Sequence, residues 1–171
     1  MLKKRIVAVL TIRDGIVVQS IGFNRYLPVG SVDIAVEFLT KWGVDEIIIL
    51  DINGRKPNLK LITQTSKKCF VPLTVGGGIR TLQDMKNLVR YGADKISINT
   101  LAIENPTMIT KAAEIFGNQC VVVSIDAKKV NGTYRVFSDG GKKITTLDPI
   151  AFAKKVESLG VGEILLNSIN R

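Results

Sequence analysis

With 171 residues, 46% of them hydrophobic and 23% charged, the chain has an ordinary globular composition and enough apolar residues for one core. No apolar run approaches the ~18 residues of a membrane-spanning helix and no cleavable leader precedes the first strand, so we expect a cytoplasmic protein without a membrane partner. The formal charge of +9 invites nucleic-acid binding, but the lysines are scattered and no aromatic residues interleave with them, so an anionic small-molecule substrate is expected instead.

Short runs rich in Val and Ile alternate with longer segments of helical period, which is typical of βαβ units around a parallel sheet. Strands are predicted near residues 5–11, 46–50, 71–75, 94–98, 120–126 and 163–167. Helices are predicted near residues 31–42, 57–67, 81–91, 105–116 and 147–159. Residues typical of helix starts are Ser31, Thr81 and Asn105 with Pro106, and glycines at expected helix ends are Gly43, Gly92, Gly117 and Gly160.

Three strand starts share one pattern, in which a glycine is followed three residues later by a charged residue. The segments are Gly43-Val-Asp-Glu-Ile-Ile-Ile, Gly92-Ala-Asp-Lys-Ile-Ser-Ile and Gly160-Val-Gly-Glu-Ile-Leu-Leu. A longer correspondence relates residues 7–13 to residues 122–128, at an offset of 115 residues. Two related half-barrels of four βα units each would produce this spacing, although chance similarity between Val- and Ile-rich strands is the alternative.

Six strands are counted, whereas a closed (βα)₈ TIM-type barrel has eight strands in about 250 residues. The expected fold is therefore α/β, a single partial (βα)₈ barrel domain over residues 1–171 with its second half-repeat cut short. An open six-stranded sheet would leave two edges unpaired. We expect either that the sequence is a fragment or that another chain covers the gap.

Chemistry in such barrels takes place at the carboxyl ends of the strands. The residues expected at those ends are mostly polar or glycine: Thr11, Asp51, Gly76, Gly77, Gly78, Asn99, Thr100, Asp126 and Ser168. Three successive glycines after a strand let the backbone approach a ligand and offer N–H groups to an anion, so a phosphate site is predicted there, with Asn99 and Thr100 beside it. The structural alternative is a tight turn followed by a cap.

The chain contains no histidine, so acid–base chemistry has to use carboxylates or lysines. Cys69 and Cys120 each lie beside the start of a strand and lack metal-ligand spacing, which favours buried thiols over a disulfide. We expect neither a metal ion nor an organic cofactor.

Four motifs in chain order carry a family resemblance: Thr74-Val-Gly-Gly-Gly-Ile79, Ser97-Ile-Asn-Thr100, Ile125-Asp-Ala-Lys128 and Gly162-Glu-Ile-Leu-Leu166. Over all 171 residues the chain resembles the cyclase subunit of imidazole glycerol phosphate synthase. The triple glycine alone would be shared with other phosphate-binding barrels. These include the isomerase that precedes this enzyme in histidine biosynthesis, which is the nearest alternative.

The resemblance implies a glutaminase partner on the face formed by the amino ends of the strands. It also implies ammonia that crosses the barrel to a substrate with two phosphates. The family's ammonia gate is a ring of four charged residues, which match Arg5, Glu46, Lys95 and Glu163, and Asp94 matches a position that faces the glutaminase. Ordinary surface charges at strand starts are the alternative reading of the four.

The family's acid–base pair consists of two aspartates, and here the fifth-strand member is Asp126 while the first-strand member is Thr11. Threonine cannot hold a negative charge or exchange a proton near neutral pH. A substrate-binding lysine of the family also corresponds to Gln19. Three hypotheses therefore stay open: the cyclase of histidine biosynthesis, a paralogue that amidates a surface-glycan sugar with channelled ammonia, and a non-catalytic docking subunit of a glutaminase.

Overall fold

The computed structural model describes residues 4–170. These residues form an α/β structure with ten strands, six helices and a short 3-10 turn, Asn118–Cys120, and its sheet contains several parallel strand pairs. The strands are β1 (Val7–Arg13), β2 (Ile16–Ile21), β3 (Arg25–Ser31), β4 (Glu46–Asp51), β5 (Leu73–Gly76), β6 (Lys95–Ile98), β7 (Val121–Val130), β8 (Thr133–Ser138), β9 (Lys143–Ile144) and β10 (Glu163–Ser168). The helices are α1 (Val32–Lys41), α2 (Leu59–Ser66), α3 (Leu82–Arg90), α4 (Thr100–Glu104), α5 (Thr107–Phe116) and α6 (Pro149–Ser158).

All six expected strands and all five expected helices are present, but the count of six strands is wrong. The additional strands β2, β3, β8 and β9 belong to hairpins that extend β1 and β7. The turns after β1 and β7 are Asp14-Gly15 and Asn131-Gly132, and all four residues have positive φ values between 48° and 83°. Asp-Gly and Asn-Gly are typical of two-residue hairpin turns, so the sequence contained this information.

The chain divides into two compact units, and the first comprises residues 4–19 and 27–96. Its strand order is β3-β2-β1-β4-β5, with β1 parallel to β4, β4 parallel to β5, and β2 antiparallel to β1. The core of this unit consists of almost fully buried apolar side chains, among them Ile12, Ile47, Leu73, Met85 and Leu88. Thr81 begins α3 with a capping box that it forms with Asp84.

The second unit comprises residues 20–26 and 97–170. Strand β7 pairs in parallel with β10 and antiparallel with β8, and β8 continues into β9. Its core includes the buried side chains of Ile109, Val123, Ile125, Val136 and Phe152. Asp148 begins α6 by accepting hydrogen bonds from two backbone N–H groups of the first turn.

The sequence repeat has a structural meaning, since its charged residues Glu46, Lys95 and Glu163 are the first residues of β4, β6 and β10. The aspartate before two of them ties adjacent strand starts together. Asp45 accepts a 2.7 Å hydrogen bond from the backbone N–H of Ile6, and Asp94 accepts one of 2.8 Å from Leu73. The third copy has Gly162 instead, because a side chain there would overlap with the backbone of Asn118.

The glycines expected at helix ends all have positive φ values, as predicted: Gly43, Gly92, Gly117 and Gly160. Cys69 and Cys120 are free thiols, but both are half-exposed rather than buried because they lie in connections just before strands. Within residues 4–170, no helix is long and apolar enough to cross a membrane.

Candidate active site

Asp126 lies in the middle of β7 and is only 6% exposed. Its Oδ1 atom accepts hydrogen bonds from the Oγ of Ser124, at 3.1 Å, and from the Nδ2 of Asn167 on β10, at 2.8 Å. Burial raises the pKa of the Asp126 carboxyl above its ordinary value, while the hydrogen bonds from Asn167 and Ser124 oppose that rise. A carboxyl group in this state can exchange a proton closer to neutral pH than an exposed aspartate.

The sequence reasoning missed Asn167 and Ser124 as parts of this site. Parallel pairing places Asn167 directly opposite Asp126, and Ser124 lies two residues before Asp126 on the same face of β7. The period of two along β7 could have identified Ser124. The register between β7 and β10, which brings Asn167 into contact, cannot be read from either strand alone.

The expectation that Thr11 and Asp126 end their strands is wrong, because hairpins extend both strands beyond them. Thr11 lies in the middle of β1 in the first unit, half-buried, opposite Leu50 on one side and Val18 on the other. Asp126 pairs with Phe137 in the corresponding hairpin of the second unit. Gln19 is exposed on β2, and Ser168 does end its strand, with its side chain exposed.

The glycine loop after β5 packs closely on the loop that follows β4. A Cβ atom at Gly77 would overlap with the Asp51 carbonyl group, and one at Gly78 would lie 2.8 Å from the backbone of Lys56. Both glycines also have positive φ, of 112° and 67°. The Oδ1 of Asp51 accepts hydrogen bonds from the N–H groups of Asn53 and Gly54, so this carboxylate shapes the loop against which the glycines pack.

A small, mainly apolar cleft adjoins this loop in the first unit. Its lining consists of Ile49, Asp51, Pro57, Asn58, Leu61, Ile62, Val75, Gly76 and Gly77. The cleft brings Asp51 together with two of the three predicted phosphate-binding glycines, but its lining contains few polar groups.

Asn99 and Thr100, the other predicted phosphate ligands, lie at the end of β6 and the start of α4 in the second unit. The Nδ2 of Asn99 donates to the carbonyl oxygens of Ser124, at 3.0 Å, and Phe137, at 3.4 Å. The Oγ1 of Thr100 accepts a 3.0 Å hydrogen bond from the backbone N–H of Asp139. These side chains therefore fix the positions of β7 and the end of β8.

Three of the four expected gate residues meet at one carboxylate in the first unit. Glu46 is 1% exposed, and its Oε2 contacts the Nζ of Lys95 at 2.8 Å and a guanidinium nitrogen of Arg5 at 3.4 Å. Its Oε1 accepts a 2.6 Å hydrogen bond from the Oγ1 of Thr74. Glu163 begins β10 in the second unit, half-buried and opposite Val122.

Four large apolar side chains are exposed just before the strands β1, β4, β5 and β6. We call Ile6, Trp42, Phe70 and Tyr91 the apolar set; they precede β1, β4, β5 and β6 respectively. Trp42 is 75% exposed and Phe70 is 84% exposed. The nearby Asp94 is exposed as well, although its carboxylate binds the Leu73 N–H. Exposed aromatic residues of this kind are typical of protein–protein contacts.

Comparison with known proteins shows similarity along almost the whole chain. Residues 5–171 match the family described as histidine biosynthesis protein. The chain is 46% identical to the putative imidazole glycerol phosphate synthase subunit hisF2 of Vibrio vulnificus, over 100% of this chain and 64% of that protein. It is 48% identical to the imidazole glycerol phosphate synthase subunit HisF of Clostridium botulinum, over 99% of this chain and 70% of that protein.

A third relative, the HisF subunit of an Exiguobacterium species, is 43% identical over 100% of this chain and 69% of its own length. The chain thus spans between 64% and 70% of these three relatives. By its match to the family and by these relatives, the chain belongs to the histidine biosynthesis proteins, in the family of imidazole glycerol phosphate synthase subunit HisF.

Proposed function

We propose that the chain acts as the ammonia-using cyclase subunit of an imidazole glycerol phosphate synthase in the cytoplasm. The observation that carries this proposal is the ion cluster around Glu46. A carboxylate that is 1% exposed is expensive to desolvate, and its pairing with two cations offsets part of that cost. A use for the charges themselves would explain their place at the strand starts. An ammonia gate formed by Arg5, Glu46, Lys95 and Glu163 is such a use.

The proposed architecture is a (βα)₈ barrel that forms one domain, to which residues 1–171 contribute six of the βα strands as two related half-repeats. Parallel pairing of β1, β4 and β5, and of β7 and β10, supports it. Among the described residues, β10 pairs with β7 and its other edge has no strand beside it. The greater length of the relatives is consistent with further strands in such a barrel.

In the proposed site, Asp126 is the catalytic proton carrier and Thr11 occupies the place of the second acid–base group. Backbone N–H groups of Gly76, Gly77 and Gly78 bind one phosphate of the substrate, together with Asn99 and Thr100. Asp51 supports the glycine loop through the hydrogen bonds that shape its own loop. The net charge of +9 favours an anionic substrate.

The proposed partner is a glutaminase that covers the apolar set and Asp94. Because parallel strands start at one edge of a sheet, these residues lie on the side of the first unit where Glu46 and Lys95 begin their strands. Ammonia released by the partner would then reach the charged cluster directly.

Thr11 favours one second candidate, a paralogue that uses channelled ammonia on a surface-glycan sugar. The names of the three relatives give no support to that role, nor to a docking subunit without chemistry of its own. The cyclase therefore remains the main proposal.

The deciding assay measures turnover of the two-phosphate cyclase substrate with an ammonium salt, which makes the glutaminase unnecessary. We expect measurable turnover by the parent, loss of it in Asp126→Asn, and a gain in Thr11→Asp. Loss of one acid or base group typically costs about 10²–10⁴-fold in rate, so the gain should be at least tenfold. In protein that contains the complete barrel, no turnover by either the parent or Thr11→Asp would exclude the cyclase and favour the paralogue.

A further inference from the structure

Two neutral donors converge on a single oxygen of Asp126. The Nδ2 of Asn167 and the Oγ of Ser124 both donate to Oδ1, and Asn167 also donates to the Ser124 hydroxyl at 3.1 Å. Within residues 4–170, no hydrogen bond reaches Oδ2 of this carboxyl group. The two oxygens of Asp126 are therefore chemically different before any substrate binds.

From this asymmetry we infer that Asn167 is a positioning residue, which holds Oδ1 of Asp126 so that the reacting proton is carried on Oδ2. The inference rests on the proposed function, since it assumes that Asp126 exchanges a proton with the substrate. In the acid step the Oδ2–H bond breaks, the proton goes to the substrate, and the carboxylate charge is stabilised at Oδ1. The proton returns to Oδ2 when the substrate is later deprotonated.

Strand pairing fixes this arrangement. Asn167 lies opposite Asp126 in the parallel pair of β10 with β7, so its amide reaches the carboxyl group across one strand spacing. Ser124 holds the Asn167 amide in place by accepting its second hydrogen bond. Among the described residues, the side-chain amide of Asn167 donates to Asp126 and to Ser124, and both acceptors lie on β7.

Charged groups on the surrounding strands are few. Lys128 follows Asp126 on β7 and pairs in register with Arg135 on β8, while Glu163 begins β10 opposite Val122. Loss of a donor to Oδ1 removes stabilisation of the carboxylate, so the pKa of Asp126 should rise further. A hydrogen bond to a charged group is strong enough to change a pKa by about one unit.

The experiment follows the carboxyl carbon of Asp126 by NMR during a pH titration of the full chain, with Asp126→Asn to assign the resonance. In Asn167→Leu we expect the pKa to rise by about one unit. In Asn167→Thr, which keeps a donor, it should return towards the parent value. An unchanged pKa in Asn167→Leu would overturn the inference.

Ammonium-dependent kinetics supply the second measurement. We expect Asn167→Leu to lower kcat by about tenfold with little change in KM, and to move the Asp126 limb of the pH profile upwards. A change in KM alone would assign Asn167 to substrate binding and refute the positioning role. If Asn167→Leu does not fold, Ser124→Ala removes the other donor and should raise the pKa in the same direction.

The two proposals can fail separately. A raised pKa in Asn167→Leu together with a parent that shows no turnover would refute the cyclase function, while the control of Oδ1 by Asn167 would stand. Turnover by the parent together with an unchanged pKa would refute the role of Asn167 alone.

Discussion

At the scale of single residues, Asp126 illustrates how one strand pair sets the state of an ionisable group. Burial on β7 favours the neutral form of the Asp126 carboxyl group. The hydrogen bonds that Asn167 and Ser124 donate stabilise the charged form and offset part of this effect. Thr11 on β1 has a comparable position in its own hairpin but offers only a hydroxyl group. The proton chemistry of the proposed site therefore depends mainly on Asp126.

The raised pKa of Asp126 predicts a pH-dependent cost to stability. Between the ordinary pKa of about 3.8 and the higher folded value, the folded state binds more protons than the unfolded state, so stability falls as pH rises. The side chain of the Asp126→Asn variant does not titrate, so the variant does not lose stability through this group as the pH rises. Urea unfolding at pH 5 and pH 8 should show the stability of the variant rising relative to that of the parent at the higher pH.

A difference in stability between Asp126→Asn and the parent that stays constant between the two pH values would contradict a raised pKa.

The sequence predicted those single residues whose positions follow from a local pattern along one strand. Thr11, Asp126 and Glu46 could be selected because strand period and the repeat mark their positions. Asn167 could not be selected in this way. Its hydrogen bond to Asp126 joins residues 41 positions apart in sequence, and it depends on the register between β7 and β10.

At the scale of secondary-structure elements, the glycine loop after β5 shows two separate requirements. Its positive φ values favour glycine, and its close approach to the loop after β4 leaves no room for a side chain at Gly77. The phosphate-binding prediction used only the first of these properties. The packing on Asp51 shows that the glycines also serve the fold.

Gly77→Ala is therefore expected to destabilise the protein strongly. A residue other than glycine in a left-handed conformation costs about 1–2 kcal/mol, and overlap with the Asp51 carbonyl group should add to that. The matched control is Gly140→Ala, where φ is 61° and no atom lies within 4 Å of the added Cβ. Thermal or urea unfolding measures both.

If both variants lose the same stability, the close packing of Gly77 contributes nothing and conformational strain alone explains the glycine. We expect instead that the loss in Gly77→Ala exceeds that in Gly140→Ala by at least about 1 kcal/mol, as is usual for overpacking.

The alternation of strands and helices was predictable because hydrophobic period and terminal glycines act locally. Strands β3 and β9 are largely exposed, so they have no buried face that an alternating pattern could reveal. Strands β2 and β8 carry buried apolar residues and follow Asp-Gly and Asn-Gly turns, so the sequence did contain the signal for these two. Helix α4, Thr100–Glu104, is too short for a helical period to reveal it.

At the scale of the whole molecule, the question is why a basic chain exposes aromatic residues. The apolar set and the ion cluster of Glu46 both belong to strand starts of the first unit, where the family resemblance places a glutaminase. The sequence predicted the charged residues by resemblance, but exposure of Trp42 and Phe70 depends on how their connections fold and was not foreseen.

We expect Trp42→Ser and Phe70→Ser to weaken glutaminase binding while leaving ammonium-dependent turnover unchanged. Truncation of an aromatic residue at the centre of an interface typically costs about 2–4 kcal/mol, which corresponds to roughly 30-fold or more in Kd. Ile150→Ser is the matched control, because Ile150 is 69% exposed but does not belong to the apolar set and lies at the start of α6 in the second unit. Calorimetric titration with the glutaminase gives the three Kd values, and ammonium-dependent turnover shows whether each variant keeps its fold. Equal Kd values for all three variants and the parent would mean that the partner does not use the apolar set, and the docking side would then have to be sought elsewhere on the chain.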